Sequence, residues 1–306
     1  SVRFDVVNPS NIGDTVHGTT ILVPLMSRIT GELMDRFEGL RLIQQWGAVL
    51  EGVDINAATA RGIAVGNIPT TTSGNANSVA EWCVMAALAM SRQLLDHNLL
   101  MREGTRWGSP IGQALYGRRA GIIGLGGIGN VLARRLGAFE MDVQAVTRSP
   151  DAASAAASGV RGVRGMESLG ELLAESDYLF LTLPLTPETR HLIGENALAA
   201  MKPGAYLINA GRGGLVDPGA LIAALDRGQL GGAALDVFEQ EPLDPASPLL
   251  THPRILVSPH VAGVTDIFYR SAASVFVDAL DAIAGGRPLT HCVNWSAVAK
   301  HFYAEP

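Results

Sequence analysis

Three residues able to do chemistry stand just beyond apolar runs. Arg212 lies in Asn209-Ala210-Gly211-Arg212-Gly213-Gly214, Glu241 in Asp236-Val237-Phe238-Glu239-Gln240-Glu241-Pro242, and His260 in Ser258-Pro259-His260-Val261-Ala262-Gly263. The runs that lead to them, 205–210, 232–237 and 255–258, read as strands. In an open parallel sheet, ligands sit beyond the carboxyl ends of the strands, so polar residues there are site candidates. A guanidinium forks onto a planar carboxylate. An imidazole passes a proton near neutral pH, and a neighbouring carboxylate orients it and favours its charged form. Together they are the set needed to reduce a 2-oxo acid, provided something else brings a hydride.

The segment 119–136 supplies the place for a hydride carrier. An apolar strand runs into Gly124-Leu125-Gly126-Gly127-Ile128-Gly129 and then into a helix marked by Val131, Leu132 and Leu136. Gly124, Gly126 and Gly129 fill the three glycine places of a dinucleotide-binding fingerprint, with Gly127 and Ile128 at the start of the helix that faces the diphosphate. A second strand, 142–147, follows. An NAD site usually ends that strand with Asp or Glu about 20 residues past the fingerprint, to bind the ribose hydroxyls. This chain has Thr147-Arg148-Ser149 instead. A guanidinium flanked by two hydroxyls suits a 2′-phosphate, so the expected cofactor is NADP(H). The alternative is that Arg148 covers the adenine and NAD(H) binds.

The elements that position these residues alternate between strand and helix, which predicts an α/β protein with two doubly wound parallel-sheet domains. Strands are expected at 3–7, 20–24, 40–45 and 63–67, and a helix at 31–37. A loop, 46–54, has two glycines that could turn backbone amides toward a ligand. Long helices are expected at 79–101 and 266–284, with Gly285-Gly286-Arg287-Pro288 as a stop. Residues 154–158 read as an Ala/Ser-rich surface segment. At 306 residues, two domains are the default. The expected division is a discontinuous substrate domain, 1–91 with 286–306, around a dinucleotide-binding Rossmann domain, 92–285.

Composition narrows the partners. The chain is 47% hydrophobic with a net charge of −6, and it has no cluster of Lys and Arg to bind nucleic acid or an anionic membrane. Small molecules are the expected ligands. Cys83 and Cys292 lack any CxxC spacing, so neither a zinc site nor a disulfide framework is expected, and both read as buried thiols of a reducing cytoplasm. No uncharged stretch of about 20 apolar residues is present, and no basic-then-apolar leader opens the chain.

From about Thr20 to Asn294 the chain resembles the D-isomer-specific 2-hydroxyacid dehydrogenases. The likeness rests on the fingerprint, on Leu183-Pro184-Leu185-Thr186-Pro187-Glu188-Thr189-Arg190, and on Met201-Lys202-Pro203-Gly204-Ala205. It rests also on Asn209-Ala210-Gly211-Arg212-Gly213, on Asp236-Val237-Phe238 with Glu241-Pro242, and on Ser258-Pro259-His260. The resemblance implies that Arg212 binds substrate, that His260 is the general acid/base and that Glu241 is its partner. Asp236 resembles the residue that holds the nicotinamide amide. Leu183, Pro184, Thr189, Asn209, Ala210 and Gly211 are the remaining implied cofactor contacts. It implies further a flavodoxin-like substrate domain, interdomain struts made by the two long helices, closure on binding, and a homodimer. Formate dehydrogenases of this fold carry Gln in place of the partner carboxylate, so Glu241 argues for a hydroxy/oxo acid couple, with glyoxylate or hydroxypyruvate foremost. In relatives a shorter glycine turn binds the substrate carboxylate through backbone amides. Here Ala48, Val49, Leu50, Glu51 and Gly52 occupy that loop, with Val49-Leu50-Glu51 resembling an insertion and Glu51 expected to face solvent. The alternatives are a dinucleotide-sensing corepressor of the same fold and an NAD-dependent phosphoglycerate-type dehydrogenase.

Overall fold

A computed structural model describes residues 3, 5, 6, 12, 13, 15–24, 27–70, 73–104 and 107–303, and the elements named below are those of these residues. The chain forms two compact units, one of residues 1–74 and 266–306 and one of residues 75–265.

The first unit holds a three-stranded parallel sheet in the order β1 (Ile21–Leu22), β2 (Leu42–Gln44), β3 (Ala64–Gly66). Of the strand expected at 3–7, Phe4 and Val7 lie outside the described residues, and Arg3, Asp5 and Val6 are not in a strand. Both chain ends build this unit. The Asn294 side chain accepts from Val65 N (2.8 Å) and donates to Ile63 O (2.9 Å) and Thr59 Oγ1 (2.8 Å). One buried amide thus ties the C-terminal segment to β3, where each polar group has a partner. The helix Asp266–Ala284 packs Ala279 and Ala282 with Leu42 and Ala64, and Phe268 and Ala272 with Ile68.

The second unit is built on a seven-stranded parallel sheet. Its strands are β4 (Arg119–Ile123), β5 (Asp142–Val146), β6 (Gly162–Arg164), β7 (Tyr178–Leu181), β8 (Ala205–Asn209), β9 (Leu230–Leu235) and β10 (Ile255–Val257). They lie in the order β10-β9-β8-β7-β4-β5-β6. Continuous apolar runs form these strands because both sheet faces are covered. Ile122, Val143, Ala145, Phe180 and Ile208 share one core with Val79 and Cys83 of the helix Asn75–Ser91 and with Leu132 and Leu136 of Gly127–Ala138. Their neighbours Ile123, Val146, Leu179, Leu181 and Leu207 share the other with Leu172, Leu198 and Leu221. The strand order reverses between β4 and β7. That switch point is where an open α/β sheet leaves a crevice at its carboxyl edge.

Two expectations change. The division falls at 74/75 and 265/266, not at 91/92 and 285/286, because each long helix packs where its apolar side is met: Asn75–Ser91 on the large sheet, Asp266–Ala284 on the small unit. The helix expected at 79–101 is two, Asn75–Ser91 and Leu94–Arg102, broken where Gln93 takes a left-handed φ of 48°. Residues 154–158 are mostly helical, within Ala152–Ala157, because the Asp151 carboxylate caps the N–H groups of Ala153 and Ser154. The short β6 was not legible, since it is fixed by pairing with β5 and not by its own pattern. Cys83 is fully buried, which pushes its thiol pKa up, while Cys292 is half-buried.

Candidate active site

The fingerprint glycines each do a separate job. Gly124 has φ +96°, and a Cβ there would lie 2.8 Å from Leu183 Cβ. A Cβ on Gly129 would lie 2.2 Å from Gly124 O, so the helix can sit against the turn only without one. At Gly126 a Cβ would meet nothing within 4 Å. Its small size serves no packing need within the protein, as expected of a position kept clear for a diphosphate. The helix Gly127–Ala138 starts there without a side-chain cap, so its first N–H groups are available to an anion. These features fit a dinucleotide.

Thr147, Arg148 and Ser149 follow β5 at the same sheet edge, with Arg148 and Ser149 exposed. The charge of Arg148 reaches Glu188, whose carboxyl lies below its ordinary value mainly through a hydrogen bond with Thr186. In the turn after β7, the Thr189 hydroxyl donates to Pro184 O (3.0 Å) and accepts from Thr186 N (2.7 Å), which shapes the segment expected to touch the cofactor.

Arg212, Glu241 and His260 come together within the second unit. At the end of β8, Asn209 Oδ1 accepts from Gly211 N (3.1 Å) and Nδ2 donates to Arg212 O (3.0 Å). Gly211 fits because a Cβ would lie 2.9 Å from Leu183 O. Glu241 Oε1 accepts from Phe238 N (2.9 Å), and Oε2 meets His260 Nδ1 at 2.7 Å. Burial raises the Glu241 pKa, but the hydrogen bonds from His260 and Phe238 and the charges of His260 and Arg212 outweigh it and hold the carboxyl below its ordinary value. Glu241 is therefore ionised near neutral pH and can only accept. Nδ1 of His260 must then be the donor, which leaves Nε2 to exchange a proton with a substrate. The side chains suit these roles: Glu241 is 20% exposed and His260 37%.

His260 has φ +55°, a conformation rare for a side-chain-bearing residue. Asp236 holds it there. Its carbonyl accepts from His260 N (2.8 Å), and its carboxylate accepts from Ser258 Oγ (2.5 Å), Val261 N (2.9 Å) and Ala262 N (2.8 Å). Burial raises the Asp236 pKa against those bonds. Asn209 and Asp236, both expected to face the cofactor, thus also brace the turns that carry Arg212 and His260. The sequence did not reveal this, because a polar residue at a strand end does not announce which way it points.

The Ala48–Gly52 loop belongs to the first unit. Gly47 O accepts from Ile68 N (2.8 Å), Ala48 O from Asn67 Nδ2 (2.6 Å) and Gly52 O from Ile29 N (2.7 Å). Its carbonyls are thereby tied back, while among the described residues the amides of Ala48, Val49, Leu50 and Gly52 have no acceptor. Glu51 is exposed. Trp46 packs in the core of the unit against Tyr269 and Phe276, with ring centroids 6.3 and 6.4 Å away. Among the described residues no group of three His, Cys, Asp or Glu is placed to hold a metal, and no helix is long and apolar enough to cross a membrane.

Comparison with known proteins gives this geometry a context. Residues 84–262 match the family model described as D-isomer specific 2-hydroxyacid dehydrogenase, NAD binding domain. A glyoxylate reductase of Thermofilum pendens is 37% identical over 253 residues, covering 80% of this chain and 72% of that protein. A D-3-phosphoglycerate dehydrogenase of Archaeoglobus fulgidus is 35% identical over 280 residues, 91% of this chain, and the chain spans about half (52%) of that relative's length. Among solved structures, the NADPH-dependent glyoxylate/hydroxypyruvate reductase of Sinorhizobium meliloti, in complex with NADP and malonate, superposes with a TM-score of 0.80 at 31% identity, covering 95% of this chain and 89% of that one.

Proposed function

Because the chain belongs to the D-isomer specific 2-hydroxyacid dehydrogenase family, we propose that it is an NADP(H)-preferring reductase of a small 2-oxo acid of the glyoxylate or hydroxypyruvate type, yielding the D-2-hydroxy acid. The observation that carries this reading is the 2.7 Å contact between His260 Nδ1 and Glu241 Oε2 beside the Arg212 turn. When bound, the dinucleotide supplies the hydride that reduces C2. The Gly124–Gly129 turn and the helix behind it hold its diphosphate, and Arg148 with Thr147 and Ser149 receives the 2′-phosphate. Arg212 forks onto the substrate carboxylate and draws on the keto oxygen. His260 Nε2 gives that oxygen its proton, while Glu241 keeps the ring oriented and stabilises the imidazolium that enters the reaction. Within the first unit, the loop amides of Ala48, Val49, Leu50 and Gly52 are candidate anion donors.

We place a homodimer contact on the surface around the helix Leu94–Arg102, which buries none of its residues. Leu94, Leu95, Leu99, Met101, Trp107 and Ile111 are all more than half exposed there. An apolar surface of that kind marks an interaction face. Light scattering of Trp107→Ser with Leu95→Ser should give a monomer where the wild-type chain gives a dimer.

The test of function is a coenzyme and substrate panel. NADPH and NADH at equal concentration are paired with glyoxylate, hydroxypyruvate and pyruvate, and 3-phosphoglycerate is run in the oxidative direction. Kinship with phosphoglycerate dehydrogenases favours that last, NAD-dependent reading as the one alternative. Higher kcat/KM with NADPH and glyoxylate or hydroxypyruvate is expected. A kcat/KM with NADH at least as high would refute the coenzyme preference, and turnover of 3-phosphoglycerate alone would replace the substrate.

A further inference from the structure

Two glutamates stand two residues apart after β9, and only Glu241 reaches His260. Glu239 turns the other way. Its Oε1 is shared by Arg190 Nη2 and His191 Nε2, the latter at 3.2 Å. Arg190 and His191 end the turn that follows β7, the same turn that Thr189 shapes around Pro184. His191 is held at φ +51°, and its N–H donates to Gly214 O (2.8 Å). The segment 190–191 therefore grips both the loop of Glu241, through a side chain, and the turn of Arg212, through the backbone.

Between these two loops there is no slack. A Cβ on Gly213 would lie 1.8 Å from Phe238 C and 2.3 Å from Glu239 N, so the Arg212 turn rests directly on the peptide that precedes Glu239. Phe238 is also the residue whose N–H binds Glu241 Oε1 (2.9 Å). On the other side of that turn, a Cβ on Gly214 would meet the Leu185 side chain at 3.0 Å. The backbone around Arg212 is thus pressed between the 185–191 turn and the 238–239 peptide, and the Arg190–Glu239–His191 contact closes the stack across it.

We propose that Glu239, clasped by Arg190 and His191, is a positioning residue that sets the Glu241–His260 pair against Arg212 and couples the turn after β7 to it. This rests on the proposed reductase activity for its kinetic consequence only. Releasing the clasp lets the 238–241 segment move away from Gly213, and Glu241 moves with it because Phe238 N and Glu241 Oε1 are bonded. A misplacement of about 1 Å at a reacting group can lower turnover by about a hundredfold. Partial release at a contact that is 56% exposed on the Arg190 side should lower it by about tenfold.

Three variants test this: Glu239→Gln, Arg190→Ala and the two together, with Glu239→Asp as the conservative control. Arg190→Ala trims a largely exposed side chain and leaves the packed loop intact, so it remains informative if Glu239→Gln fails to fold. The expected result is a kcat loss of about tenfold in each single variant, no further loss in the double variant, partial recovery in Glu239→Asp, and a KM and NADPH Kd within about threefold of wild type. A second readout needs no turnover: the proton NMR signal of the His260 Nδ1–H shared with Glu241, identified by its loss in His260→Gln, should move or broaden in Glu239→Gln and Arg190→Ala. The proposal is overturned by a kcat within twofold of wild type, by single losses that multiply in the double variant, or by an unchanged imidazole signal. A wrong substrate assignment would show as absent turnover in the wild type, and the imidazole signal would still decide the clasp.

Discussion

Gly126→Ala distinguishes a turn built for a dinucleotide from one that only joins a strand to a helix. A Cβ on Gly126 has nothing within 4 Å, and the residue sits at φ −91°, ψ −155°, an extended conformation that alanine accepts. The variant should fold with a Tm within about 2 °C of wild type, since neither a clash nor backbone strain is introduced. Gly129→Ala is the contrasting control. There the new methyl lies 2.2 Å from Gly124 O, a carbonyl that also accepts from Thr182 Oγ1 at 2.7 Å, so the helix must back away from the turn. Overpacking of this kind costs about 1–3 kcal/mol, or about 2–12 °C in Tm. Ligand linkage then reads out binding. At a hundredfold excess over Kd, a dinucleotide stabilises the wild type by about 2.7 kcal/mol. In a protein of this size that raises Tm by about 5–10 °C. Differential scanning fluorimetry with and without NADPH should show this shift in the wild type and less than about 2 °C of it in Gly126→Ala. A full shift in Gly126→Ala would show that no diphosphate approaches this glycine.

Further outcomes are expected from the site. Arg212→Ala should raise KM for the 2-oxo acid and lower kcat/KM by about 10- to 150-fold, the range of hydrogen bonds to charged groups, with NADPH Kd unchanged by fluorescence titration. Gly213→Ala should lower kcat more than it changes NADPH Kd, because its methyl displaces the Phe238–Glu239 peptide while the fingerprint turn lies elsewhere. Stability should fall on acidification. Burial raises the Asp177 pKa, but its bonds to Lys202 (2.7 Å) and Arg119 N (2.9 Å) outweigh it, so Asp177, like Glu241, is held below its ordinary value. Each is depressed in the folded state, so each contributes stability present above the unfolded carboxylate pKa of about 4 and lost as pH falls through the folded value. Urea unfolding of wild type and Asp177→Asn as a function of pH checks the sign, the wild type losing its advantage below about pH 4.

Much of the site was readable because a parallel sheet gathers its carboxyl ends on one edge. Residues as far apart as Arg212 and His260 could be placed together from strand alternation alone, and the glycine spacing located the turn across the sheet's switch point. The divisions between units were less readable, since a long apolar helix does not state which sheet will cover it. Asn75–Ser91 and Asp266–Ala284 go to different units although both are long and rich in apolar residues. The break after Ser91 had no proline or glycine to mark it, only Gln93 in a left-handed conformation. Polar residues inside the motifs were the hardest to assign. Glu239 and Glu241 look alike in sequence, yet one pairs with Arg190 and His191 and the other with His260. Asp236 and Asn209 satisfy backbone donors and acceptors that exist only once the turns have formed.

The most direct measurement on the central claim is NADPH oxidation with glyoxylate or hydroxypyruvate by the wild type and by His260→Ala, with NADPH affinity determined separately. If the imidazole braced by Glu241 delivers the proton, kcat falls by at least about a hundredfold while NADPH binds as before. A His260→Ala enzyme that turns over within a few-fold of wild type would contradict the assignment of proton transfer to this pair.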